Sequence, residues 1–520
     1  MSNLAKQLLT DAELWKPENP CSLCKWQWEI GTFERKADSS EHRFLRNIAE
    51  VYADIIQSAA SGDCFSCSML AGALKNFVPS DISRIEEINI SEWQNNGITI
   101  KLDLRPQAAR QLTRDSIRIE LLVSNLEQEP PYETLKLRIP SGDTSSDSAL
   151  RWAQGWLDHC IRSHEKCNKD QESVLPTRVI DVTPINENGD VKLVDQAHLL
   201  PAALYVALSH CWGKHPIQCW TTRRTLESRR ERIPFALLTK TFQDAVVFTR
   251  RLGVRYLWID AMCIIQEDVE DWRPEAGRMS SVYGNALVTL AAVHAADGSG
   301  GLFSELSTDY QAFALDPIMI GGKNWYFSAR KKLPPFHTWT LEQLGDHGEE
   351  SAPLFDRAWT YQERIMSPRV LFFSENELLW ECCEDNGCEC VADAGASTAS
   401  HASKQGLEYY PKINHIMRLE HGEAAARWRE VVREYSKLQL TVETDKLPGI
   451  SAIARQVQRF RPSAQYIAGL WSETLVMDLL WEICSSDDNK GAELDRRRPE
   501  EWCAPTWYVG ITLSCMYICC

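Results

Sequence analysis

Three largely apolar runs, separated by segments of helical spacing, constrain the fold of this chain more than any other feature. "LYVALSHCWG", "VRYLWIDAMCII" and "LVTLAAV" lack the polar alternation of a half-exposed strand, so strands built from them are buried on both faces. Between them lie "TKTFQDAVVFTRRLG", which ends on Gly253 as a helix C-cap, and "DWRPEAGRMSSVYGNA". With the short strand "RVIDV" in front, residues 178–303 read strand, helix, strand, helix, strand. That succession predicts an α/β fold with a parallel sheet covered by helices. "RAWTYQERIMS" and "RVLFFS" extend it by one crossover helix and one strand.

A chain of 520 residues is too long for one compact core, and about two or three domains are expected. Residues 1–148 read as a cysteine-containing α+β region. A helix is expected between its two CxxC pairs, and residues 95–140 alternate as antiparallel strands do ("GITIKLDLRP", "SIRIELLVSN"). "SGDTSSDS" is a linker with capping residues before the helix "ALRWAQGWLDHCIRSHEKC". The central α/β domain spans 149–380 with its core at 178–375, and 304–350 is an irregular insertion. Residues 381–408 read as a flexible loop, and 409–520 as a mainly helical C-terminal region.

The formal net charge of −16 argues against a nucleic-acid partner, since phosphate contacts need a basic face. The basic stretch "TTRRTLESRRERIP" is diluted by glutamates and reads as a solvated helix or loop. No run has the length of a membrane span, and the N-terminus has no signal-peptide core. Several of the 18 cysteines sit inside apolar runs, where they behave as small hydrophobes. Free thiols and a reducing compartment are expected.

Three blocks match one family together. "YVALSHCWG", "FQDAVVFTRRLGVRYLWIDAMCIIQEDVEDWRPEAGRMSSVYGNALVTLAA" and "RAWTYQERIMSPRVLFF" resemble the fungal heterokaryon incompatibility (HET) domain. "CIRSHEKC", "LPTRVIDV", "DKLPGISAIA", "YIAGLW" and "APTW" resemble the flanks of full-length members. The resemblance implies a cytoplasmic protein of a filamentous fungus, acting in non-self recognition and programmed cell death. It implies an incompatible-allele or NLR-type protein partner, and self-association. It also implies further strands beyond "APTW", where this chain soon stops, so a shortened C-terminal region is expected. The element order is more distantly similar to a Toll/interleukin-1 receptor (TIR) domain, which implies a TIR/flavodoxin-like sheet. In TIR domains that cleave NAD, a helix carries Trp-x-x-x-Glu with a catalytic glutamate. Trp359 and Glu363 fit that spacing, which implies Glu363 as the catalytic residue and NAD+ as substrate.

Ligands of a parallel α/β sheet sit at the carboxyl ends of its strands. Ser209, His210, Trp212 and Gly213 fall there after the first strand, Asp260 after the second, and Arg357, Trp359 and Glu363 on the later helix. A carboxylate beside the anomeric carbon would stabilise an oxocarbenium-like ribose, and an indole would exclude water. Gly213 would let backbone approach a phosphate, and Ser209 could bond it. Plainer readings stand beside these. Glu363 could be a surface residue paired with Arg364 or Arg357. Asp260, in an apolar run, must be paired, with Arg255 or Arg357 available. Trp212 and Trp359 could simply be core. His210 and Cys211 point to opposite faces of a strand and cannot form a dyad, whereas Cys263 with His210 is geometrically open. "AADGSGGLF" lacks the residues of a P-loop and reads as a loop.

The alternative to an enzyme is a non-catalytic scaffold that recruits a death effector. For metals, Cys21, Cys24, Cys64 and Cys67 form two CxxC pairs that could hold a structural zinc. Cys160, His164 and Cys167 lie at i, i+4 and i+7 of a helix and are also ligand-competent, and "CCEDNGCEC" gathers four more thiols.

Overall fold

The structure is a computed structural model. It describes residues 41–43, 55–57, 59–60, 65–77, 85–93, 97–104, 115–123, 139–168, 175–199, 203–213, 219–320, 323–333, 352–390, 421–436, 438–440, 445–479, 481–483 and 516–518. The chain forms two compact units. One comprises Met1–Pro140 with Ser307–Leu333 and 390–392, and the other takes the remainder.

The first unit is built on an antiparallel sheet in the order β1-β2-β3-β4-β13-β10. Its strands are β1 (Glu41–Arg43), β2 (Ile85–Trp93), β3 (Gly97–Leu104), β4 (Asp115–Val123), β10 (Phe313–Ala314) and β13 (Phe327–Lys331). A separate hairpin pairs β11 (Ile318–Ile320) with β12 (Lys323–Trp325). Alternation drives the burial of Ile100 and Leu102, and helix α1 (Phe65–Phe77) packs on β4 and β13. Buried Arg330 donates to Glu120 on the neighbouring strand at 3.0 and 3.1 Å. The alternating stretch after residue 95 thus forms the expected antiparallel strands. The insertion read as irregular supplies β10 and β13, which complete the sheet. The helix expected between the CxxC pairs falls mostly outside the described residues.

The second unit begins with α2 (Asp147–Ser163), capped by Ser146, and α3 (Glu165–Asn168). Its eight-stranded sheet runs β16-β15-β14-β9-β7-β8-β5-β6. The strands are β5 (Arg178–Asp181), β6 (Lys192–Asp195), β7 (Tyr205–Ser209), β8 (Tyr256–Trp258), β9 (Val288–Ala292), β14 (Arg369–Phe373), β15 (Leu378–Cys382) and β16 (Asn386–Cys388). The four central strands β14, β9, β7 and β8 are parallel, and every residue in them is buried. The sheet is therefore mixed rather than wholly parallel. β5 joins β8 antiparallel, and β15 folds back on β14 after a short turn that only an antiparallel pair can use.

Helices α4 (Leu226–Glu231) and α5 (Lys240–Arg251) connect β7 to β8. Thr239 caps α5 by accepting from Phe242 N, and Gly253 ends it with φ +77°. From β8 the chain passes through α6 (Asp260–Cys263) and α7 (Val269–Asn285) to β9, and α8 (Ala358–Met366) leads into β14. α7 and α8 pack together with α10 (Lys446–Phe460), which follows α9 (His421–Ser436). The Tyr205 hydroxyl donates to Val282 O of α7 at 2.5 Å, so Tyr205, Ala207 and Ser209 share the α7/α8 face of the sheet.

Residues 382–390, read as the start of a flexible loop, form the β15–β16 hairpin, with Cys382, Cys383, Cys388 and Cys390 buried. Small polar spelling hid a strand whose apolar content is carried by cysteine. Residues 391–408 lie outside the described residues. Four of the five arginines of the basic stretch are engaged: Arg223 with Asp268, Arg230 with Asp195, Arg232 with Asp190 and Arg229 with Trp220 O. Among the described residues no helix is long and apolar enough to cross a membrane.

Candidate functional site

The site grows from the carboxyl ends of β7 and β8, where the chain leaves the sheet in opposite lateral directions. Ser209 closes β7 and is buried on the α8 side. His210 points the other way, with its ring edge-on to Phe242 at 4.9 Å, as strand alternation requires. β8 ends at Trp258, and Asp260 opens the single turn α6, where its Oδ1 accepts from Ala261 N at 2.6 Å. Its Oδ2 accepts from the Trp212 indole N–H at 2.7 Å. The His210 Nδ1 lies 3.7 Å from Asp260 Oδ1, beyond hydrogen-bond range. Burial holds the His210 pKa below the ordinary value, with Asp260 opposing and Arg357 reinforcing the shift.

Glu363 is brought to the same place by α8 and is 4% exposed. Its Oε2 has no hydrogen-bond partner. Burial, and after it the charge of Asp260, pushes its pKa up to about 7, while Ser209, Arg357 and Tyr283 pull it back in part. The Tyr283 hydroxyl also donates to Leu208 O at 3.0 Å, which ties α7 to the end of β7 beside Glu363. The adjoining Gln362 is fully buried with neither amide atom partnered. Two neighbouring side chains with unmet polar atoms cost α8 on the order of 1–3 kcal/mol each.

The other residues singled out from sequence have definite places. Arg357 precedes α8 and donates Nη1 to His210 O at 2.9 Å, tying α8 to the loop after β7. Trp359 is half-buried, and its indole N–H is turned to Asp445 Oδ2 at 3.4 Å, just before α10. Gly213 has φ +76°, and a Cβ there would stand 2.4 Å from Asp297 Cβ. The space expected for a phosphate is taken by Asp297. Glu363 is no surface residue: its neighbour Arg364 pairs with buried Glu381 at 2.5 Å. Asp260 is not paired with Arg255, which bonds Asp181 at 2.8 Å. Burial raises the Cys263 thiol to about 12 and Cys211 to about 11, so neither is a ready thiolate nucleophile. Tyr283, Asp297 and Asp445 carried no signal in the sequence beyond their polarity, because each reaches the site from a different element.

Under α8, on the same face of the sheet, lies a cavity of about 10 Å³, room for about one water molecule, lined by Ser209, Thr289, Ala291, Thr360, Arg364 and Phe372. That is far below the roughly 300–1,000 Å³ of small-molecule sites. For metals, Cys21, Cys24 and Cys64 lie outside the described residues, and Cys67 is buried in α1. Cys160, His164 and Cys167 do converge, together with Cys382.

The family model described as "Heterokaryon incompatibility protein (HET)" matches residues 205–363, from the first residue of β7 to Glu363 itself. No curated protein and no solved structure matches the chain.

Proposed function

We propose that this HET domain protein acts in heterokaryon incompatibility as a death-inducing enzyme of the fungal cytoplasm, hydrolysing NAD+ at Glu363 in the manner of a TIR domain. The carrying observation is Glu363 itself: a buried carboxyl at the sheet's carboxyl edge, with one oxygen unpartnered and a pKa raised to about 7 beside a second carboxylate. Numbered along the chain, the parallel strands stand in the order 2-1-3-4. This is the order of flavodoxin-like sheets, whose ligands bind where the order reverses, between strands 1 and 3. Here that point lies between β7 and β9, beside Ser209.

In this reaction the bond from the ribose anomeric carbon to the nicotinamide nitrogen breaks, and its electron pair neutralises the pyridinium. Water adds to the anomeric carbon and releases a proton, giving ADP-ribose and nicotinamide. Ionised Glu363 stabilises the cationic ribose as it forms. The positive charge of the nicotinamide ring itself favours the ionised form of Glu363 on binding. Asp260 can accept from ribose hydroxyls, with Trp212 fixing its orientation, and Arg357 offers charge to a phosphate. Ser209 completes the wall on the β7 side, whereas the space at Gly213 is filled by Asp297 and Trp359 is turned to Asp445.

The small cavity under α8 favours a closed state that opens when a protein partner, of incompatible-allele or NLR type, or a second copy of the chain engages it. The same observation supports the second reading, a non-catalytic module that recruits a death effector. Expression of the full chain in fungal cells, with NAD followed over time, separates the two. Glu363→Gln and Glu363→Ala should cut NAD loss at least about 100-fold while the protein remains folded. Undiminished NAD loss in both variants would sink the enzyme. Death without NAD loss in the unaltered protein would select the scaffold.

A further inference from the structure

We propose that Cys160, His164, Cys167 and Cys382 bind a zinc ion in a closed Cys3His site that fastens α2 and α3 to the β15–β16 hairpin. The four ligand atoms lie within 4.8 Å of one another. His164 Nδ1 stands 3.3 Å from Cys382 Sγ and 3.8 Å from Cys167 Sγ. A tetrahedral zinc, with Zn–S of about 2.3 Å and Zn–N of about 2.0 Å, spaces its ligand atoms roughly 3.5–3.8 Å apart. The set needs only small adjustments to close on an ion.

The backbone is shaped for this convergence. In an unbroken helix Cys160 and Cys167 would be separated by about 10 Å along the axis. Instead α2 stops at Ser163, His164 is extended with φ −97° and ψ 111°, and α3 restarts at Glu165. Asn168 Nδ2 bonds the carbonyls of His164 at 2.7 Å and Ile161 at 2.8 Å, which holds the break. On the other side, Asp385 N donates to Cys382 Sγ at 3.3 Å, the kind of N–H···S bond that steadies a metal-bound thiolate.

Charge supplies an independent argument. Arg369 is 1% exposed, and its Nε donates to Cys160 Sγ at 3.2 Å. Its other partners are Cys167 O at 3.1 Å, Leu287 O at 3.4 Å and Asn168 Oδ1. Among the described residues no carboxylate lies within ion-pair distance of it. A buried guanidinium without a counter-charge is costly. Three thiolates and one Zn2+ carry a net charge of −1, which balances Arg369. Simple packing of four neutral side chains leaves that cation unanswered. The sulfur-rich, closed donor set selects zinc over harder cations.

The site is independent of the NAD+ reading. Its ligands flank the HET match on both sides, three before residue 205 and one after residue 363. The ion would therefore hold the ends of the domain together and belong to its folding rather than to its chemistry.

The test uses the full-length protein purified without chelator, with zinc measured by elemental analysis. Cys160→Ser with Cys382→Ser should lose one zinc per chain, whereas Cys21→Ser with Cys24→Ser should retain it. Because the first variant can misfold, the deciding measurement is made on the unaltered protein. Native alkylation mapped by mass spectrometry should find Cys160, Cys167 and Cys382 protected, and a strong zinc chelator should expose them together. Unchanged alkylation of these thiols with and without chelator, or a disulfide joining any two of them, overturns the proposal.

Discussion

The Trp212 indole N–H holds the Asp260 carboxylate at 2.7 Å, joining the loop after β7 to the first turn after β8. An indole first read as core or as a barrier to water thus fixes an acid in place. Through that acid it acts on Glu363, whose pKa Asp260 helps to raise.

Asp260→Asn removes the like charge beside Glu363, so the Glu363 pKa must fall. For the proposed NAD+ hydrolysis, the acid limb of the kcat/KM profile, expected near pH 7 from the pKa of about 7, should move to lower pH. The measurement is the full pH profile of both proteins. A limb that stays in place would show that Asp260 exerts no such influence.

Glu363 also sets a pH dependence of folding. Its folded pKa of about 7 lies above the ordinary 4.5, so the native state favours the protonated acid. Its contribution is fully present below about pH 4.5 and is lost as pH rises through about 7. The loss is about 3 kcal/mol. Glu363→Gln, which stays neutral, should match the unaltered protein near pH 5 and exceed it in Tm at pH 8. Parallel Tm curves across that range would contradict the burial argument.

Gly213→Ala tests the turn after β7. The substitution meets both a φ of +76° and a Cβ contact of 2.4 Å with Asp297. A loss of about 1–3 kcal/mol is expected from the backbone alone, and more with the clash. Asp297→Gly in the same chain should recover the steric part and leave the backbone part. Chemical denaturation of the three proteins measures both.

The parallel centre was legible because β7 and β9 are wholly buried runs and because Thr239 and Gly253 mark the ends of α5 in plain spelling. Its antiparallel margins were not, since strand direction depends on which edge a strand meets and not on its own residues. β13 pairs with β4 across some two hundred residues of chain, a choice no local pattern announces. Cys382 was lost in a stretch that looked like linker because neighbouring cysteines and acids mask its strand. Trp359 and Glu363 carry the right spacing, yet the indole turns to Asp445, which follows it by 86 residues. Helical spacing places two side chains near one face and says nothing of which neighbour each will choose.

The pairing of β13 with β4 has a consequence during synthesis. The N-terminal sheet stays two strands short, lacking β13 and the β10 that pairs with it, until residue 331 has left the ribosome, and by then β7, β8 and β9 have all emerged. The earlier of the two units therefore completes its sheet after the later one has begun. A chaperone that shields the waiting edge of β4 would have its greatest effect on chains stalled between those two points.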